Sequence, residues 1–249
     1  MGVSAPAAAK TSGLSTVVDT IAAPTDAFER LRTMPTWGWA LIVAIAFMLI
    51  GTVLQLPAQH HAATAQIQRM VDGPLFAKAT AEQKQHAVAN AGKTNVFTFL
   101  APILGLFVAV FLNTLFMLIG NVAGRGQADF KRLWCGSMNI AVPTLGLGAV
   151  VLGVIATIRG ADSFGSSLAL AQAVPSLGML VPHGSPMLVA FFSAISVFSL
   201  WGLFLNATML RVTAKTSPAI AYTFAILVLL LGALFAAGGV AMAQKAGFA

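Results

Sequence analysis

Side chains able to do acid–base, metal or nucleophilic chemistry are few in this chain and lie far apart. The seven acids are Asp19, Asp26, Glu29, Asp72, Glu82, Asp129 and Asp162, beside four histidines and the single Cys135. His60 and His61 are adjacent and His86 follows in the same polar segment, a set that could gather around zinc, whose sites take His and carboxylate ligands. Neighbouring positions on a helix point about 100° apart, so His60 and His61 would seldom share one ion. Solvated or capping histidines are the reading this spacing favours, and His183, between Pro182 and Gly184, reads the same way. Ser185 follows Gly184 without a Gly-x-Ser-x-Gly elbow or a partnered Lys, His or Asp. Gly124-Arg-Gly126 lacks the strand–loop–helix setting and the Lys-Ser/Thr of a phosphate loop. We therefore expect no catalytic residue, no cofactor and no metal.

The elements that carry these residues follow from where charge is missing. Five stretches, 33–68, 94–124, 133–158, 163–210 and 216–244, contain no Asp, Glu, Lys or Arg. A charge at the centre of a membrane helix costs about 2.5–3.5 kcal/mol on insertion scales, so a chain that crosses hydrocarbon repeatedly moves its charges into loops. With 58% hydrophobic and 8% charged residues, the composition excludes an ordinary soluble domain. The expected fold class is all-α: a polytopic membrane protein of five transmembrane helices, with an N-terminal amphipathic segment and an extracytoplasmic helical hairpin.

Residues 1–14, rich in Ala, Ser and Gly with Pro6, read as a disordered tail. Over 15–36, Val17, Ile21, Pro24, Phe28 and Leu31 recur at three- and four-residue steps with charges on other faces. Such a segment suits the membrane interface or packing against the rest of the protein, and the sequence leaves both open. The membrane domain spans 37–243, with crossings at about 37–56, 96–123, 133–158, 187–210 and 218–242. Trp37 and Trp39 anchor the first crossing, and Pro57 is expected to end it. Outer residues 58–95 should form two helical pieces, broken at Asp72-Gly73-Pro74, with the second opened by the capping box Thr80-Ala81-Glu82-Gln83. Within 163–186, Leu168–Val181 is apolar enough to dip into the membrane, but Gln172, Pro175 and Gly178 argue against a full crossing.

Orientation follows from short loops. Arg125, Lys131, Arg132, Arg211 and Lys215 occupy two very short ones on the side of Lys10, Arg30 and Arg32, which places the N-terminus in the cytoplasm and the C-terminus outside. These basic loops also suit anionic lipid, at about 1 kcal/mol per cation near the surface. The net charge of +7 does not point to nucleic acid, since no basic cluster carries interleaved aromatics. A lone cysteine excludes an internal disulfide. A cleaved signal peptide is not expected ahead of an apolar segment that begins near Trp37, nor is myristoylation with Pro6 where Ser or Thr is wanted.

No acid falls inside a crossing, which weakens proton-coupled transport. Asn113, Asn139 and Asn206 lie in or near crossings, where interhelical hydrogen bonding for roughly 0.6–2 kcal/mol is their expected role. Gly120-x-x-x-Gly124 and Gly232-x-x-x-Ala236 permit close helix approach, within one chain or between chains.

Three groups of residues resemble a bacterial member of the Ypt-interacting protein (YIP) family: Pro24-Thr-Asp-Ala-Phe28 with Leu31 and Pro35; Asp129-Phe130-Lys131-Arg132-Leu133 with Pro143; and Phe198-Ser199-Leu200-Trp201 through Arg211-Val-Thr-Ala-Lys-Thr-Ser217. The resemblance covers roughly residues 17–243 and rests on order and spacing. It implies five crossings with a cytoplasmic N-terminus. Eukaryotic relatives are similar to trafficking factors that engage small GTPases, and some bacterial relatives to accessory subunits of ATP-binding-cassette exporters. This chain lacks the long acidic or aromatic N-terminal region of many eukaryotic members, so GTPase binding is not expected. The expected function is a non-catalytic accessory or scaffold protein of the cell inner membrane, contacting lipid and a membrane partner (such an exporter, or its own copies). The alternative is a small transporter or channel with broken helices around a mid-membrane polar site, for which Pro102, Pro143 and the 163–186 dip are the motivating features.

Overall fold

The computed structural model describes residues 13–73, 76, 78–181 and 185–245. The expected tail up to residue 12, Pro74 in the expected break, and His183 with Pro182 and Gly184 lie outside the described residues. Among the described residues all regular structure is helical, apart from one antiparallel bridge between Ser176 and Ser196.

Two short helices, α1 (Gly13–Ala22) and α2 (Pro24–Thr33), lead into the long α3 (Gly38–Val71). Then come α4 (Ala81–Asn90), α5 (Val96–Ala123) and α6 (Phe130–Ala141). A π-helical turn, Val142–Leu147, joins α6 to α7 (Gly148–Arg159). The chain finishes with α8 (Ser167–Ala171), α9 (Pro186–Ser193), α10 (Val197–Val212) and α11 (Pro218–Lys245). Four helical runs are long and apolar enough to cross a membrane: Gly38–Val71, Val96–Ala123, Phe130–Arg159 and Pro218–Lys245.

Three expectations are corrected. First, α1 starts at Gly13, inside the stretch read as a tail. Second, Pro57 does not end the first helix; α3 runs through it to Val71. A proline inside a helix forfeits one backbone hydrogen bond, and here the residues beyond it are held by packing. Ala58 is buried against Ala156, Phe164 and Leu170. The expected outer hairpin therefore has the far half of α3 as its first limb. Its second limb is α4, which begins at the foreseen capping box: Gln83 N–H donates to Thr80 Oγ1 at 3.2 Å, and Thr80 N–H to Gln83 Oε1 at 2.9 Å.

Third, the segment 187–210 is not one helix. It breaks after Ser193, and α10 starts afresh from the N-cap Ser196, whose capping box with Ser199 satisfies two backbone donors. The extended residues at the break pair with 175–177: Leu177 N–H donates to Ile195 O at 3.1 Å, and Val197 N–H to Pro175 O at 3.3 Å. Non-helical backbone within a membrane bundle is tolerated where protein covers it, and residues 175–177 pair with it here.

The N-terminal hairpin packs onto the bundle. Phe28 and Leu31 are fully buried with Leu133, Leu205 and Met209, while Leu14, Val18 and Ile21 line an outward apolar face of α1. Arg30 closes the hairpin on Asp19 at 2.7 Å. Three bonds moor it to the bundle: Arg132 Nε to Arg32 O (2.8 Å), Thr213 Oγ1 to Phe28 O (3.2 Å) and Asn139 Nδ2 to Thr36 O (3.2 Å).

Close helix approach centres on α3 and α7. A Cβ on Gly51 would lie 2.6 Å from the Ala149 carbonyl oxygen, and one on Gly153 would lie 2.7 Å from Leu54. Gln55 Nε2 donates to Ala149 O at 3.0 Å across the same seam.

Candidate functional site

Three polar side chains from three different helices meet inside the bundle. Asn113 on α5 donates both Nδ2 protons, one to Ser137 Oγ on α6 at 2.9 Å and one to Asn206 Oδ1 on α10 at 3.0 Å. Asn206 is 5% exposed and Ser137 2%. This triad forms one wall of a cavity of about 730 Å³ whose remaining lining is mostly apolar, including Val108, Leu112, Leu145, Val228 and Phe235. The cavity reaches the broken helix at Ala194 and Ser199, and Thr144 of the π turn also lines it. No Asp, Glu, Lys, Arg or His is among its lining residues.

The cavity exists because two helices part. Gly120 and Gly124 bring α5 against the first turns of α11, where added Cβ atoms would meet Phe224 at 2.8 Å and Ile220 at 3.0 Å. Further along, a Cβ on Gly232 would meet nothing within 4 Å; Gly232 lines the cavity instead, and Ala236 borders a smaller one beside α9. Thus Gly120-x-x-x-Gly124 seats a helix of this chain, and Gly232-x-x-x-Ala236 faces open space.

Asn139, expected to act like Asn113 and Asn206, faces away from them. Its Nδ2 donates to Cys135 O at 2.8 Å and to Thr36 O. The residues missed in the sequence are Ser137, Gly51, Gly153 and Asn121. Asn121 closes the α5–α6 loop, donating to Ala128 O at 2.8 Å and accepting from Ala128 N–H at 3.2 Å. A stripe of small residues on α3 (Ala44, Gly51, Ala58, Ala62) was the available signal for the α3–α7 seam.

The histidines have separate partners. His60 Nε2 lies 2.8 Å from Thr94 Oγ1, while His61 Nδ1 lies 3.2 Å from Phe164 O and its Nε2 3.6 Å from Asp162. His86 is exposed on α4. Among the described residues no group of three His, Cys, Asp or Glu side chains could hold a metal ion. Cys135 is buried.

The expected basic loops sit together. Gln127 N–H donates to Ala214 O at 2.8 Å, which ties the α5–α6 loop to the α10–α11 loop. Arg125, Lys131, Arg211 and Lys215 are exposed there; Arg125 and Lys215 adopt φ of 51° and 57° to make the turns. Arg132 is the exception, half-buried on Arg32 O and Asp129.

A helical bundle with apolar outer faces and an uncharged interior site defines an integral membrane protein. Its family follows from comparison with known proteins: a Yip1 domain model matches residues 18–238, and the chain belongs to the Yip1 family. It is similar to "Membrane protein YknW" of Bacillus subtilis (strain 168), 26% identical over 223 residues, with 88% of each chain covered. No solved structure matches it significantly.

Proposed function

We propose that this chain is a non-catalytic accessory or scaffold protein that crosses the cell inner membrane five times, N-terminus cytoplasmic and C-terminus outside, and binds a membrane-protein partner. The observation that carries this reading is α4, a helix that buries none of its residues. A ten-residue helix is marginal in water by itself, so one that rests on α3 through half-buried residues alone suits docking to another molecule. The partner that the family resemblance points to is an ATP-binding-cassette exporter. In this reading α9 and α10 in series make the fourth of the five crossings, and the basic loops face the cytoplasm.

The test is purification of the full chain in mild detergent, with its chromosomal neighbours expressed at native levels. Stoichiometric recovery of an exporter's subunits is expected. Recovery of only a monomer or self-oligomer overturns the reading.

A second reading, a small transporter or channel, is favoured by the Asn113–Asn206 cavity beside the broken helix. Solute flux in proteoliposomes of the pure chain, lost on Asn206→Leu, would select it over the first.

A further inference from the structure

We propose that the cavity between α5, the π turn, α10 and α11 binds an uncharged single-chain amphiphile, whose hydroxyl or amide head hydrogen-bonds to Asn113 and Asn206 and whose tail lies along the apolar walls. This goes beyond both functional readings above and stands whichever of them holds.

The polar end is built for a group that both donates and accepts. Asn113 spends both of its amide protons on Ser137 and Asn206. Its Oδ1 accepts no hydrogen bond, and Asn206 Nδ2 donates none, among the described residues. Asn206 is 5% exposed overall, and its free N–H opens into the cavity that it lines. A ligand hydroxyl or amide would pair both groups, accepting from Asn206 and donating to Asn113, at about 0.5–1.5 kcal/mol per bond.

Charge is excluded by the lining. No ionisable residue borders the cavity, so a phosphate, carboxylate or ammonium would enter unpaired, at several kcal/mol of desolvation. Size fits one small amphiphile: about 730 Å³ lies within the roughly 300–1,000 Å³ of small-molecule sites.

The route of entry is lateral. The rim residues Gly105, Val108, Gly232 and Phe235 are exposed, and they lie in the charge-free stretches 94–124 and 216–244. An opening at that level faces lipid rather than water, so its ligand partitions from the bilayer.

The test uses the full chain in nanodiscs and a 1-monoacylglycerol carrying a mid-chain diazirine, with adducts mapped by peptide mass spectrometry. Adducts are expected at Val108, Leu112 and the 228–235 face of α11. Excess unlabelled monoacylglycerol should displace them; lysophosphatidylcholine, or oleate at a pH that ionises it, should not. Asn206→Leu should cut saturable labelling by about tenfold, the loss of one good hydrogen bond. Gly232→Phe adds a ring where a Cβ meets nothing within 4 Å, and should block labelling without touching the polar pair. If Asn206→Leu fails to fold, Gly232→Phe decides alone. Labelling that does not saturate, that is displaced equally by the charged competitors, or that persists in the folded variants overturns the proposal. So does an unlabelled cavity, including one filled by a partner's helix.

Discussion

Arg132 Nε donates to the carbonyl oxygen of Arg32 at 2.8 Å, so the start of α6 grips the last turn of α2. The same guanidinium reaches Asp129, the N-cap of its own helix, at 3.3 Å. A fork of donors serves both partners at once, which the single ammonium of lysine does less well. Arg132→Ala should speed amide exchange across 24–33 while leaving α5 protected. Arg132→Lys should fall between the two. Hydrogen-exchange mass spectrometry in detergent reads both.

Gly51 meets the backbone of Ala149, which cannot rotate out of the way as a side chain can. Gly51→Val should therefore lower the thermal midpoint, at a cost of about 1–3 kcal/mol for overpacking. Gly238→Val, with nothing within 4 Å of the added Cβ, is the matched control and should leave the midpoint near the parent value.

Two capping boxes allow a comparison of caps. Ser196→Ala removes the cap of a helix with a buried face, Thr80→Ala that of one with no buried residue. Loss of a serine or threonine cap is worth about 1 kcal/mol. The first substitution should shift global unfolding; the second should leave it unchanged and melt only α4. Thermal unfolding together with local exchange distinguishes them.

Asn206→Asp would place a carboxylate at cavity depth with no cation lining the site. A charge there costs about 2.5–3.5 kcal/mol on insertion scales. Membrane yield and thermal midpoint should fall, and further than for Asn206→Leu, which loses only an interhelical hydrogen bond of about 0.6–1.7 kcal/mol.

Topology is read by single cysteines on a Cys135→Ala background. With an impermeant maleimide on intact cells, Glu82→Cys should label and Lys215→Cys should label only after lysis. The reverse pattern would invert the proposed orientation.

Local signals in the sequence were legible where a helix end is made by residues three apart. Thr80 and Gln83 announced α4 because nothing else competes for an exposed helix. Pro57 misled because packing of Ala58 and Ala62 against neighbouring elements outweighs one missing backbone bond. The break before α10 was hidden by unbroken hydropathy from 187 to 210, although Ser196 and Ser199 have capping-box spacing. Asn113 and Asn206 were visible as polar residues in apolar runs. Their partnership was not: they are 93 positions apart, and only the packing of α5 on α10 joins them. Asn139 had the same composition signal, but two positions along α6 from Ser137 it points to Thr36 instead.

Helices α5 and α11, clasped at Gly120 and Gly124 and parted at Gly232, give the apolar belt of the molecule a sidedness. The gap opens in the half of the bundle remote from the basic loops and is shut in the half beside them. The proposed ligand would therefore reach Asn206 from the open side, and from the other side only after crossing the bilayer. As a binder of that ligand, the chain would sample one leaflet and not its twin.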